Sequence, residues 1–351
     1  MKSFESSVLE RIQFSQETIQ VIRLIGEYKG RQDLYRLQAP EKLENLRQVA
    51  MIQSVESSNR IEGVTAPAKR IEELIRESTT PQNRPEGEIA GYRDVLNIIH
   101  SSALDIPFTE SVILQLHRDL MKYGSGMGGQ WKSTNNSIEE IRPDGTRFVR
   151  FQPMEPHLTP EAMRQLHAQF RNHLAHHSLE PLVSMPLYVL DFLCIHPFLD
   201  GNGRMSRLLT VLMLHQQGYE VGRFISMERL IEQTKESYYE TLYTSSQGWH
   251  SAEHDPMPWV RYWLSVLLAS YREFETRMGQ LSTEHGAKTD IVLMAISRFM
   301  GSFSISELES ACPSVSRDWI KIILEQLKKE GQLRPSGKGR GARWQKVGMG
   351  E

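Results

Sequence analysis

The stretch HPFLDGNGRMSR, residues 196–207, decides how the rest of this chain is read. It lies between two apolar runs, MPLYVLDFLCI before it and LLTVLMLHQQ after it. The first predicts a buried helix that ends at Pro197. The second, apolar nearly all round, predicts a helix deep in the core. Gly201, Asn202 and Gly203 precede that helix, so its free N–H groups form an anion nest that glycines open to a phosphate. Arg204 and Arg207 lie three apart on one face of the first turn. Two guanidinium groups there neutralise more than one phosphate. Asp200 is an anion amid cations, suited to a divalent metal that bridges phosphates. His196, at the rim, is placed to take a proton from a hydroxyl. Together these residues predict a site for a polyphosphate, a metal and an incoming nucleophile. Spacing alone leaves a second reading open, in which the Gly-x-Gly is an ordinary turn and the arginines pair structurally with the aspartate.

The bulk composition suits this reading without demanding it. At 351 residues the chain holds one large domain or two to three ordinary ones. With 39% hydrophobic and 24% charged residues and a net charge of −2, nothing global draws it to nucleic acid or anionic membranes. Any such contact must come from a local patch. The opening MKSFESSVLE has no apolar signal-peptide core, and no run reaches the length of about 20 apolar residues that a membrane helix needs. The two cysteines, Cys194 and Cys312, predict neither a disulfide framework nor a paired metal spacing. A cytoplasmic protein with no membrane partner is expected.

Helical periodicity dominates the chain. Helices are expected over 5–25, 42–62 with a stop at Gly63, 67–77, 87–103, 109–122 after a Thr109 cap, 160–176, 184–195, and from the central motif to 217. Two or three more run to 278. Residues 123–158 differ: RPDGTRFVRF offers a turn at Asp144-Gly145 and a short alternating run, hence a β-hairpin. MGQLSTEHGAKTD reads as a linker. Beyond it, helices at 288–300, SISELESA and SVSRDWIKIILEQLKKEG precede a Gly-rich basic hairpin, the layout of a winged helix. Arg317 and Lys321 on its third helix, with Lys338, Arg340 and Arg343 in the wing, are candidate phosphate contacts to DNA. Winged helices also serve as protein-interaction modules, and the patch is small.

The whole string HPFLDGNGRMSR resembles the signature of the Fic family, His-Pro-Phe-x-Asp/Glu-Gly-Asn-Gly-Arg-x-x-Arg, at every specified position. The helix order, the hairpin before the motif and SYYETLYTSSQGW after it are also similar to Fic proteins, so the resemblance covers about residues 1–275. It implies a mainly α fold: a Fic-type helical bundle with a small β-hairpin flap, plus a C-terminal winged-helix domain. The division expected is an N-terminal helical region at 1–85, a Fic core at 86–278, a linker at 279–287 and the winged helix at 288–351. The activity implied is transfer of AMP from ATP to a hydroxyl side chain (Ser, Thr or Tyr) of a target protein or of the chain itself. In that scheme His196 is the general base, and Asp200 holds Mg²⁺ between the α- and β-phosphates. Asn202 and the Gly201 and Gly203 backbone position the phosphates. Arg204 stabilises the leaving pyrophosphate, Arg207 meets the γ-phosphate, and Phe198 packs inward to fix the loop. The kinase-like branch carries lysine at the second glycine, whereas this chain keeps Gly203.

Further roles follow only from the resemblance. SNRIEG, residues 58–63, matches the family's inhibitory pattern Ser/Thr-x-x-x-Glu-Gly/Asn. Ser58 and Glu62 fall on one helix face, with Glu62 at the C-terminus before the Gly63 cap, where a carboxylate opposes the helix dipole unless a cation receives it. The family's pairing makes Arg207 that cation. Ile138 and Phe151 are expected flap contacts to an extended target segment. Tyr239, within Tyr238–Leu242, is expected to border the nucleotide base, unless it serves the core. Relatives often dimerise, so a homodimer is expected. Two other functions stay open: removal of AMP with Glu62 activating water, and a DNA-binding regulator whose core senses nucleotide. His173, His176 and His177 are read as a solvated helix end rather than a metal site, and Cys194 as a buried, inert thiol.

Overall fold

The computed structural model describes residues 1–38, 40–76, 79–124, 127–141, 146–284, 292–293, 295–296, 299, 302–312, 315–336 and 343–347, with the backbone alone for 33–38, 40–42, 140–141 and 280–284. The chain divides into two compact units, Met1–Phe274 and Glu275–Glu351.

The first unit is a helical bundle. Its helices are α1 (Ser6–Leu9), α2 (Gln16–Gln38), α3 (Pro40–Ile61), α4 (Ala68–Arg76), α5 (Arg84–Ser102), α6 (Glu110–Leu120), α7 (Thr159–Ala175), α8 (Pro181–Ile195), α9 (Asn202–Gln216), α10 (Met227–Gln233), α11 (Lys235–Ser246) and α12 (Met257–Glu284), the last crossing into the second unit. The expected helix over 5–25 is in fact two. Ser15 accepts from Thr18 N at 3.2 Å and caps α2, which restarts the helix after a break at 10–15. Of the linker expected at 279–287, residues 279–284 are helical, because α12 runs on to Glu284, and 285–287 lie outside the described residues. One glycine, Gly279, does not stop a long helix, since it costs only about 1 kcal/mol relative to alanine.

α8 and α9 form the centre. Every residue of α8 from Leu182 to Ile195 is buried, as is nearly all of α9. α7 and α5 cover them, and an aromatic cluster of Phe108, Phe170 and Tyr188 fills the space between α7 and α8. Asn83 and Thr109 cap α5 and α6 with their side chains. A hairpin of β1 (Ile138–Ile141) and β2 (Arg147–Phe151) stands beside the bundle, with Ile138 opposite Phe151 and a bulge after Ile138. Its expected Asp144-Gly145 turn lies outside the described residues.

The second unit holds β3 (Phe303–Ser304), α13 (Ile305–Ala311), α14 (Arg317–Lys329), β4 (Leu333–Ser336) and β5 (Arg343–Lys346), with antiparallel strand order β3-β5-β4. Ser304 and Glu307 form a capping box at α13. Phe303, Leu308, Ile320, Leu324 and Trp344 are its core, joined by Val292. Of the helix expected at 288–300, residues 292–293 and 295–296 are described and helical. Both cysteines are free and buried, and burial pushes both thiols above their ordinary pKa. Among the described residues no helix is long and apolar enough to cross a membrane.

Candidate active site

The turn between α8 and α9 carries the central motif. His196 closes α8 in the left-handed region, φ 52° and ψ 61°, a conformation that non-glycine residues adopt rarely and at a cost. Its Nδ1 lies 3.3 Å from Leu193 O and must carry the proton to donate there, which leaves Nε2 as the bare acceptor. Burial, aided by the nearby Lys132 charge, lowers the ring's pKa to about 4, so His196 is neutral at pH 7.

Phe198 is fully buried and stacks on His117, with ring centres 3.6 Å apart, and on Trp131 at 5.3 Å. Asn202 spends both ends of its amide on the loop: Oδ1 accepts from Phe198 N at 2.9 Å, and Nδ2 donates to Phe198 O at 2.7 Å. Its side chain therefore shapes the turn, and only its backbone is left for an anion. Gly201 takes φ +80°, which only glycine adopts freely. Gly129 N donates to His117 Nδ1, so His117 Nε2 carries the hydrogen and donates to Asp200 O at 3.1 Å. Burial keeps this ring neutral too, with its pKa lowered to about 4.

Behind the turn lies a charge ladder that sequence reasoning missed. Arg204, 2% exposed, donates from Nη1 to Glu88 Oε2 at 2.7 Å and from Nη2 to Asp200 Oδ1 at 3.3 Å. Arg84 donates from Nε to the other oxygen of Glu88 at 2.9 Å, and its Nη2 lies 3.7 Å from Asp200 Oδ2. Glu88 sits in RPEGEIAG on α5, a stretch with no sequence signal beyond helical periodicity. Asp200 is half-exposed.

One turn further on, Arg207 is buried against α3. Its Nε donates to Ser58 Oγ at 2.8 Å, and its Nη2 to Ser58 O at 2.9 Å and to Glu62 Oε1 at 2.8 Å. Glu62 stands at the C-cap of α3, closed by a Schellman pair in which Val64 N bonds Asn59 O and Gly63 N bonds Arg60 O. Gly63 has φ +78°. Lys235 Nζ adds a bond to Ile61 O at 2.8 Å. A Cβ on Gly203 would collide with Glu62 Oε1, so this carboxylate lies directly against the glycine nest. Ser54, one turn before Ser58 on the same face, donates to the buried Glu228 at 2.7 Å, and Tyr92 supplies that acid a second bond at 2.9 Å.

These parts surround one cavity of about 620 Å³, within the range of small-molecule sites. His196, Asp200, Gly201, Asn202, Gly203, Glu62, Ile138, Phe151 and Tyr239 line it. Phe198, Arg204, Arg207 and Ser58 are buried. Tyr239 is half-buried, with burial pushing its hydroxyl up beyond the ordinary tyrosine range, and it packs edge-on against the core Tyr238. The remaining sequence candidates lie elsewhere. His173 stacks on Phe4 and bonds Ser178, His176 bonds Asn172 O, and no cluster of three or more metal-ligating side chains exists among the described residues. In the second unit Arg317 pairs with Glu309, Lys321 with Asp318 and Arg343 with Glu307, so an acid offsets each of these three candidate DNA contacts; Lys338 and Arg340 lie outside the described residues.

The scaffold is thus a helical bundle in which a glycine-rich turn and a neutral histidine line one cavity, with two buried arginines behind them. Residues 107–214 match the model of the Fic/DOC family. It is 26% identical over 254 residues to the protein adenylyltransferase Fic of Drosophila grimshawi, which covers 70% of this chain and 47% of that one. It is 24% identical over 182 residues to the protein adenylyltransferase fic-1 of Caenorhabditis elegans, which covers 51% of this chain and 32% of that one. The chain therefore spans about half the length, or less, of the curated relatives it matches. Among solved structures, a Fic family protein from Desulfovibrio desulfuricans G20 superposes with TM-score 0.61 at 22% identity, covering 97% of this chain and 98% of that one. A Fic domain containing signaling protein from Bacteroides thetaiotaomicron superposes with TM-score 0.58 at 26% identity, covering 72% and 95%.

Proposed function

We propose that the chain transfers AMP from ATP to a hydroxyl side chain of a protein, with Glu62 holding the site in check. The observation that carries this reading is the position of the Glu62 carboxylate, which lies against Gly203, bonds Arg207 and lines the same cavity as the neutral His196. A carboxylate seated in an anion nest occupies the room a terminal phosphate needs.

The residues suit the following steps. A target hydroxyl, held in the cavity beside Ile138 and Phe151, gives its proton to His196 Nε2. Its oxygen attacks the α-phosphorus, and the bond from that phosphorus to the bridging oxygen of pyrophosphate breaks. The N–H groups of the first turn of α9 and Arg204 receive the charge that develops on the leaving group. Glu88 keeps Arg204 in place throughout. Asp200 suits Mg²⁺, since its carboxylate is half-exposed and the ion commonly takes one or two carboxylates with substrate phosphates and water. The ion would supply charge neutralisation between phosphates.

The test incubates wild type, Glu62→Gly and His196→Ala with Mg²⁺ and ATP labelled at the α- or the γ-phosphate, with and without cell lysate. Protein label from the α-position alone, strongest in Glu62→Gly and absent in His196→Ala, is expected. Label from the γ-position would overturn AMP transfer in favour of phosphoryl transfer. If wild type instead strips label from an AMP-modified protein and Glu62→Gly does not, the site removes AMP and Glu62 is its base.

A further inference from the structure

The segment QWKSTN, residues 130–135, with Asn136 after it, carries no motif, yet it runs behind the whole turn between α8 and α9. Its bonds fall on the carbonyls of residues 195–198, with Asn136 Nδ2 donating to His196 O at 3.5 Å. Lys132 Nζ donates to Ile195 O at 3.0 Å, Lys132 N to Pro197 O at 2.8 Å, and Asn136 Nδ2 to Phe198 O at 3.0 Å. Trp131 stacks on Phe198. Lys132 Nζ also bonds Asn136 Oδ1 at 2.9 Å, which ties the two side chains together. Two residues later the hairpin begins at Ile138, and Gln152, just after β2, donates back to Asn136 O at 3.5 Å.

We propose that Lys132 is a positioning residue which, with Asn136, holds the carbonyls of residues 195–198 away from the cavity and so aims His196 and the N–H groups of the glycine nest into it. The last carbonyls of a helix have no partner within it, and at the buried end of α8 water does not replace one. Left alone, these oxygens would turn toward any donor, including the cavity. An ammonium at a helix C-terminus also meets the negative end of the helix dipole. Lys132 is 3% exposed, and the side-chain partner it bonds is an amide, so its charge is a buried cation just behind the nest. Burial lowers its pKa to about 8, which marks what the fold gives up to keep it there. The same segment leads into the hairpin, so one strap sets the base and the flap relative to each other.

The catalytic readout rests on the AMP-transfer reading, so the experiment carries a second readout that does not. In the Glu62→Gly background, Lys132→Met and Lys132→Arg are compared for kcat and KM of AMP transfer, and for affinity toward inorganic tripolyphosphate by calorimetry. Both are measured at a temperature where circular dichroism shows every variant folded. Lys132→Met is expected to lower kcat on the order of 10²-fold, the loss typical of a reacting group displaced by about an ångström, and to weaken tripolyphosphate binding. Lys132→Arg, which keeps a donor and the charge, is expected to recover most of both. Unchanged kcat and tripolyphosphate affinity in Lys132→Met would overturn the proposal, as would a loss that vanishes once the variant is fully folded or that Lys132→Arg shares in full. If the Glu62→Gly parent transfers no AMP, the functional reading fails, and tripolyphosphate binding alone decides the strap.

Discussion

Arg204 and Arg207 sit one turn apart on the same buried helix, 2% and 4% exposed, and each meets a glutamate from another helix. The two acids differ. Glu88 is 8% exposed, lies in the second turn of α5, and gives one oxygen to Arg204 and the other to Arg84. Glu62 is 32% exposed, stands at the end of α3 and faces the cavity. A buried acid shared by two arginines is a permanent part of the wall, because removing it strands a charge away from water. An acid at a capped helix end, open to solvent on one side, can yield to a stronger anion without unfolding anything. The same residue pairing is thus buried inside the wall at one position and half-open to the cavity at the next, where the proposed function makes it a displaceable plug.

The AMP transfer proposed above also needs a base. His196→Ala is therefore expected to lower AMP transfer by about 10³-fold, read in the Glu62→Gly background. The contrast itself is tested by replacing each acid with alanine. Glu88→Ala should lower unfolding free energy by about 3 kcal/mol or more and reduce transfer, by urea titration and labelled assay. Glu62→Ala should cost under about 1 kcal/mol and raise transfer, about tenfold if displacing the carboxylate takes about 1.4 kcal/mol. Equal stability losses, or a gain in activity from Glu88→Ala, would break the distinction. Ser58→Ala should sharpen it: Arg207 loses a neutral acceptor, so stability falls by about 1 kcal/mol, and Glu62 is held less firmly.

Acid pH tests the frame that both pairs share. Burial lowers the pKa of His117, His167, His196 and His254 to about 4, and of His100 to about 3. In the unfolded chain these groups titrate near 6.5. Between about pH 6.5 and 4 the unfolded state therefore binds more protons than the folded one, and stability falls as pH falls. Each histidine contributes up to about 1.4 kcal/mol per pH unit in that window. A melting temperature that stays level from pH 7 to pH 5 would contradict this burial.

Much of the site was legible because its residues are close in sequence. Positions 196–207 form one turn and the start of one helix, so residue type and spacing already place the ring, the glycines and the two arginines together. Ser58 and Glu62 were legible as a face of one helix. Glu88, His117 and Lys132 were not, because each reaches the turn across the bundle from a segment whose own pattern says only helix or loop. Asn202 was legible as a site residue, but whether its amide faces a phosphate or the turn depends on where Phe198 packs. The break at 10–15 was missed because apolar periodicity continues across it, and only the Ser15 cap marks it.

The sequence by itself determined the helical class, the short hairpin and the chemistry gathered in HPFLDGNGRMSR, since local periodicity and glycine geometry depend on neighbours along the chain. Tertiary structure alone decided which acid each arginine meets, which histidine tautomer is present and where the turn's carbonyls point. Those outcomes rest on buried donors and acceptors brought together from distant segments, and a buried polar group takes whatever partner the packing places within reach.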